Sequence, residues 1–191
     1  PDMANQLLDE AGWVMNESTG IREKDGEPLN LLLTLEADHN AVSMPTAEVI
    51  KSQLAEVGID VTIYGTEQMQ WYADYLEGKF DLTLWHCQFA FASPHCWFTP
   101  MDSMVPQTPS LPGIEGSDEF LATIKELTNM VDEQEVRDTY TYLFNFDIGT
   151  ALDIPLTYQK DMIVYNTDKI SGYTFTGTPY FFDILSLEPA E

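Results

Sequence analysis

Apolar and polar positions along this chain follow two periods that take turns, and the order of the turns predicts the architecture. Residues 4–13, ANQLLDEAGW, set Leu7, Leu8 and Ala11 on one helical face and meet Gly12 at the end, as a short amphipathic helix does. After a turn, residues 21–28 carry Asp25-Gly26, a tight-turn dipeptide, and lead into 29–37, LNLLLTLEA, a run apolar enough for a strand. Val49, Ile50, Leu54 and Val57 return to helical spacing before Gly58, and residues 59–64 alternate as a strand. Residues 67–77 are helical again and stop at Gly78. Residues 80–85 then form a nearly all-apolar run, the pattern of a strand buried on both faces.

Strands and helices alternating through short joins make βαβ steps, whose strands are parallel. The expected fold class is therefore α/β, a central, mostly parallel sheet of at least three strands near 29–37, 60–64 and 80–85, with the last in the centre. The helices that flank it are expected at 4–11, 45–57, 67–77, 118–130 and 133–146. Ser117-Asp118-Glu119 opens the fourth of these and Asp132 caps the fifth, and the pair should form a helical hairpin against the sheet. Residues 94–116, rich in proline and carrying Met101 and Met104, read as a long surface loop. Residues 154–165, IPLTYQKDMIVY, read as a strand, and the aromatic-rich remainder through Leu187 as extended chain.

Chemistry concentrates in residues 79–98, KFDLTLWHCQFAFASPHCWF. Both cysteines of the chain, Cys87 and Cys96, lie here, each directly preceded by a histidine, His86 and His95. These soft ligands begin where the third strand should end. Ligands of open α/β sheets bind at the carboxyl ends of parallel strands, and His39, just past the first strand, falls on the same edge. Imidazole and thiolate are the donors preferred by nickel, copper and zinc. Neighbouring strand residues point to opposite faces, however, so at most one of each His-Cys pair should ligate. Free cysteine also packs well as a small hydrophobe, and the spacing is no zinc signature.

Composition changes the picture in one respect. Eight Lys and Arg against 32 Asp and Glu give a net charge of −24, which makes nucleic acid and anionic membranes poor partners and attracts cations. A solvated acidic surface accounts for most of that charge. No run approaches the ~18 apolar residues of a membrane-spanning helix. Serines lack a histidine–acid arrangement, no glycine-rich phosphate cradle occurs, and an open metal with a general base is not discernible. An enzyme is therefore not expected, a secreted metal-dependent hydrolase being the reading that would revive one.

Four segments together, ANQLLDEAGW, GIREKDGEPLNLLL, EVIKSQLAEVGIDVTI and YADYLEGKFDLTL, with DIPLTYQKDMIVYN further on, resemble the family 5 extracellular solute-binding proteins, receptors of peptide, opine and nickel ABC importers. The resemblance covers nearly the whole chain. It implies the C-terminal lobe of a type II clamp over residues 1–191, with an N-terminal lobe outside this sequence. It further implies a monomeric, lipid-anchored, extracytoplasmic receptor that passes a small-molecule or metal-chelate solute to a membrane permease and needs no cofactor. In peptide receptors of this family a W-x-x-D-x-x-D-P segment supplies an aspartate for the peptide's ammonium. Aligning its proline on Pro94 puts Cys87 or Gln88 at the tryptophan, Ala90 at that aspartate and Ser93 at the second. A buried ammonium without a carboxylate costs several kcal/mol, so the usual peptide mode is disfavoured. GIREKDGEPL and the Pro94-His95 pair resemble the nickel-binding branch, where the metal arrives as a chelate held by few protein ligands and much aromatic packing. The resemblance places His39, Trp85, His86, Cys87, Gln88, Phe89 and His95 on the ligand side, with His86 and His95 as metal ligands for nickel or a nickel chelate. Its oxidising compartment leaves a second use for the thiols: a Cys87–Cys96 disulfide, closing a short loop, would contribute roughly 2.5–3 kcal/mol.

Overall fold

The run at 29–37 becomes the middle strand of a parallel sheet. In a computed structural model of the chain, described here for residues 1–38, 41–85, 94–98, 101, 109, 111–157, 162–175 and 183–190, helix α1 (Asp2–Glu10) leads into an antiparallel unit. This unit consists of β1 (Val14–Asn16), β2 (Ile21–Lys24) and β3 (Glu27–Pro28), in that order. Lys24 pairs with Glu27 across the two residues Asp25 and Gly26, at φ 56° and 86°. Two positive φ values in a two-residue loop are the signature of a type I′ turn, whose twist matches that of the flanking strands.

β4 (Asn30–Glu36), α2 (Ser43–Ala55), β5 (Asp60–Thr66), α3 (Gln68–Leu76) and β6 (Leu82–Thr83) follow, with sheet order β5-β4-β6 and both pairings parallel. The chain crosses from β4 out to β5 and then back past β4 to β6. Crossovers of one hand in opposite directions put their helices on opposite faces. Leu33, Leu35 and Val61 are buried with Ala47 of α2 on one face. On the other face the Trp71 indole of α3 donates to Thr83 Oγ1 at 3.1 Å, and Thr83 Oγ1 donates to Thr34 O at 3.3 Å. The third predicted strand is thus a short edge strand and not the central one. Its backbone follows β4 from Asp81 N to Leu84 N, but residues 80–85 are at best half-buried, because among the described residues only one side of the segment has a ladder partner.

The helical half begins with α4 (His95–Phe98) and a 3-10 turn at Leu111–Gly113, and continues with α5 (Ser117–Leu127) and α6 (Glu133–Gly149). Asp132 Oδ1 accepts from Gln134 N and Glu135 N at 2.9 and 3.0 Å, the cap its sequence position predicts. The hairpin does not pack on the parallel sheet as expected. Its core is Phe120, Ile124, Leu127 and Leu143 closed by Phe98, Met101 and Leu111, so residues expected in a surface loop are partly interior. The physical reason is that α2 and α3 already occupy both faces of the sheet, and the apolar stripe of an αα-hairpin must then find another cover.

Residues 154–157 and 162–165 form no strand, and Met162 and Val164 are 91% and 98% exposed. An alternating pattern makes a strand only where a ladder partner lies alongside; none does among the described residues. β7 (Ile170–Tyr173) and β8 (Leu187–Pro189) end the chain as an antiparallel pair, joined through a 3-10 turn at Ile184–Ser186. Among the described residues no helix is long and apolar enough to cross a membrane.

Candidate functional site

Parallel strands deliver their carboxyl ends to one edge, and the described chain arrives there at Asp38, Thr66 and Trp85. Ala37 N donates to Thr66 O at 2.8 Å, and Asp38 Oδ1 accepts from Gln68 N at 3.2 Å, tying the exit of β4 to the first turn of α3. A carboxylate is favoured at a helix N-terminus, whose backbone N–H groups lack partners. His39 follows directly but lies outside the described residues, as do His86, Cys87, Gln88, Phe89, Ala90 and Ser93.

Trp85 is the predicted site residue that the edge does position. It is 42% exposed, with its ring packed 4.8 Å from Tyr75 and 5.0 Å from Trp71, while Tyr75 stacks on Phe80 at 5.4 Å and 9°. Trp71, fixed by its bond to Thr83, thus holds Trp85 through contact and not through a hydrogen bond of its own. The result is an aromatic wall with one face in solvent, beside the point where the His86 segment departs. Next to it, buried Asp74 accepts from Gln70 Nε2 at 3.0 Å and Lys79 Nζ at 3.4 Å.

The far end of the segment is held differently. His95 and Cys96 are half-buried in α4; Cys96 carries a free thiol, and the partner expected for it in a disulfide, Cys87, is outside the described residues. Trp97 Nε1 donates to Asp147 Oδ2 at 3.1 Å, anchoring α4 to α6. Asp147 is 3% exposed, and Asp153 stands against it. Burial, the Asp147 charge and a hydrogen bond between the two carboxyls push Asp153 up to about 7; burial raises Asp147 as well. Among the described residues no group of three or more His, Cys, Asp or Glu side chains is placed to hold a metal ion.

Two sets of residues important to this arrangement do not stand out in the sequence. Asp147 lies on the apolar stripe of α6, four residues after Leu143 and seven after Tyr140, and an acid at that spacing is the signal available for it. Arg22, inside the GIREKDGEPL motif, is 3% exposed at the opposite edge of the sheet. Its guanidinium donates to Val57 O at 2.8 Å, Trp13 O at 2.6 Å, Asn5 Oδ1 at 2.9 Å and Asp9 Oδ1, fastening α1 and the antiparallel unit to the start of β5. The approach is close: at Gly58, with φ +83°, a Cβ would sit 2.6 Å from Met15 Cε and 2.9 Å from Arg22 Cγ.

A parallel sheet with helices on both faces and a ligand edge at the strand ends, continued by a separate helical core, is the α/β fold of the type II periplasmic binding proteins. NikA from Brucella suis, solved in complex with Fe(III)-EDTA, superposes with a TM-score of 0.84 at 28% identity, over 99% of this chain and 38% of that one. The chain belongs to the bacterial extracellular solute-binding proteins, family 5: the model of that family's middle region matches residues 1–108. It is 28% identical over 167 residues to the nickel-binding periplasmic protein of Escherichia coli, covering 86% of this chain and 31% of that protein. Over 70 residues it is 41% identical to the oligopeptide-binding protein OppA of Lactococcus lactis subsp. cremoris, 36% of this chain and 11% of that protein. The chain thus spans about a third of the length of the nickel-binding relative, and these relatives are binding proteins, not enzymes.

Proposed function

We propose that this chain is the C-terminal lobe of a two-lobed receptor of an ABC-type importer. The whole protein captures nickel as a small-molecule chelate outside the membrane, where a lipid anchor retains it as a monomer, and hands the chelate to the permease. The observation that carries this reading is extent: likeness to the nickel-binding periplasmic protein runs over 86% of the chain, whereas likeness to OppA covers 36%. Two features of the sequence support it. Ala90 stands where peptide receptors of the family have their ammonium-binding aspartate, and His39, His86 and His95 follow or flank the strand ends at which such folds bind ligands. In this reading His86 and His95 ligate the metal, Trp85 with Gln88 and Phe89 packs against the chelator, and Cys87 borders the site.

A di- or oligopeptide receptor that anchors its ligand from the other lobe is the second reading, favoured by the 41% identity with OppA over 70 residues. One calorimetric comparison on full-length protein separates the two: nickel with and without free histidine, then a mixed peptide pool. Nickel–histidine heats are expected, and the His86→Ala/His95→Ala pair should weaken them more than tenfold, about 1.4 kcal/mol or more. Unchanged affinity in that variant would remove the two histidines as ligands. Peptide heats without metal heats would overturn the nickel reading. A clamp gains affinity by closing two lobes on its ligand, so the 191-residue chain alone should bind far more weakly than the full receptor.

A further inference from the structure

The Asp147–Asp153 pair has no part in the binding scheme above, yet it is bonded to α4, the first helix after the candidate segment in the sequence. Its geometry comes from the end of α6. Thr150 N donates to Phe146 O, Ala151 N to Ile148 O and Leu152 N to Asp147 O, while Ala151 adopts φ +54°. This left-handed turn at a residue with a Cβ folds the chain back and sets Asp153 against the Asp147 side chain, one turn into the helix. Asp147 Oδ2 is taken by the Trp97 indole. Asp147 Oδ1 is buried and, among the described residues, meets no donor within hydrogen-bonding distance. Asp153 stands beside it: its backbone N–H favours the ionised Asp147 at any pH, and its carboxyl can add a second donor only while protonated.

We propose that Asp147 and Asp153 form a proton-operated latch that holds α4, and with it the end of the 86–95 segment, on the helical half of the molecule. With the proton present, Asp153 donates to the Asp147 carboxylate, which remains the charged acceptor of the Trp97 indole. When the proton leaves to solvent, two like charges face each other in a poorly hydrated place, and their repulsion turns the Asp147 carboxylate away from Trp97. The groups around the pair do not compensate. Leu152 and Phe146 on its own side are apolar, and α4 offers Trp97 with His95 and Cys96 as its titratable neighbours. Glu119 and Glu126 of α5, with Glu135 and Asp138 of α6, line a groove between the two helices that excludes the pair, and none of them acts on either carboxyl. Among the described residues no cation acts on either carboxyl.

The test uses full-length receptor carrying 5-fluorotryptophan, with the Trp97 resonance assigned by Trp97→Phe. Between pH 5.5 and 8.5 that resonance should move with a midpoint near neutrality, and the amides of 95–98, corrected for intrinsic exchange, should exchange roughly tenfold faster at pH 8 than at pH 6. Asp153→Asn supplies a permanent amide donor to Asp147 Oδ1, so in it both signals should stay at their acid-form values throughout. His95→Gln separates the neighbouring imidazole and should keep the wild-type midpoint. A resonance that does not move, one that moves equally in Asp153→Asn, or a transition lost in His95→Gln would each overturn the latch.

Discussion

The sheet half and the helical half bury apolar side chains to a similar depth, but they are closed by different means. In the sheet half, Leu33, Leu35 and Val61 are held by a seven-residue parallel ladder between β4 and β5; Thr83 and Arg22 pair polar groups beside it, while Thr66 Oγ1 at the end of β5 is buried without a hydrogen bond among the described residues. In the helical half the hairpin of α5 and α6 has no ladder. Its core is completed by Phe98 of the short helix α4, by Met101 and by Leu111 of the 3-10 turn, and it keeps a buried carboxyl pair at the end of α6. A backbone ladder fixes its partners by register alone, whereas a core closed by side chains from short segments depends on each one being present. The candidate binding segment runs from the first kind of support at Trp85 to the second at Trp97.

The largest effect should come from removing the cover of the helical core. Phe98 is fully buried, with ring centroids 4.8 Å from Phe144 and 6.0 Å from Phe120. Phe98→Ala should cost about 3–5 kcal/mol in denaturant unfolding. If the residue is surface loop after all, the loss falls below about 0.5 kcal/mol, and the contrast between the halves fails. Arg22→Ala should follow at about 3 kcal/mol, since Val57 O and Trp13 O lose a buried donor together. Arg22→Lys should recover little of it, because an ammonium cannot reproduce the fork that reaches four acceptors. Full rescue by lysine would mean that charge, and not geometry, fastens this edge.

Protons should distinguish the halves next. A carboxyl raised from 3.8 to about 7 binds its proton more tightly folded than unfolded. The contribution is therefore fully present below about pH 4 and is lost as the pH rises to about 7, the reverse of a salt-bridged aspartate. Asp153→Asn should leave stability at pH 4 nearly unchanged and raise it at pH 8 by about 1–3 kcal/mol, since each pH unit separating the folded from the unfolded pKa is worth about 1.4 kcal/mol. Thermal melts at both pH values check this. A variant uniformly less stable would show that the pair binds by contact alone.

Legibility in the sequence divides along the same line. β4, β5, the Asp25-Gly26 turn and the Asp132 cap are readable because each rests on a local period or a single backbone requirement. The order of the strands is not. The 80–85 run looks central by composition, yet its place at the edge is decided by the direction of a crossover that no local pattern encodes. Phe98, Met101 and Leu111 read as loop because helical turns of three or four residues are too short to show a period. Residues 154–157 and 162–165 show the converse, since their pattern is the same whether or not a partner strand is at hand. Of the candidate site, the common edge and Trp85 follow from parallel strands. The anchoring of α4 through Trp97 and Asp147 depends on a contact between residues fifty apart, which spacing alone cannot reveal.

The smallest prediction compares one device used in both halves. Asp132 caps α6 with two backbone bonds of 2.9 and 3.0 Å, and Asp38 caps α3 with one of 3.2 Å from across the sheet. Removing a side-chain cap typically costs about 1 kcal/mol. Asp132→Ala should lose that amount, because the first turn of α6 has no other described side-chain acceptor. Asp38→Ala should lose about half as much, since its single bond is longer and the exit of β4 remains fixed by Ala37 N on Thr66 O. The two substitutions are compared by denaturant unfolding in one background, at low salt and again at about 1 M, where the charge on a helix end is screened and the hydrogen bonds remain. If Asp38→Ala proves the costlier, the strand-end edge draws more of its order from that carboxylate than from the ladder. Support for the candidate site would then lie in side chains on the sheet side as well as at α4.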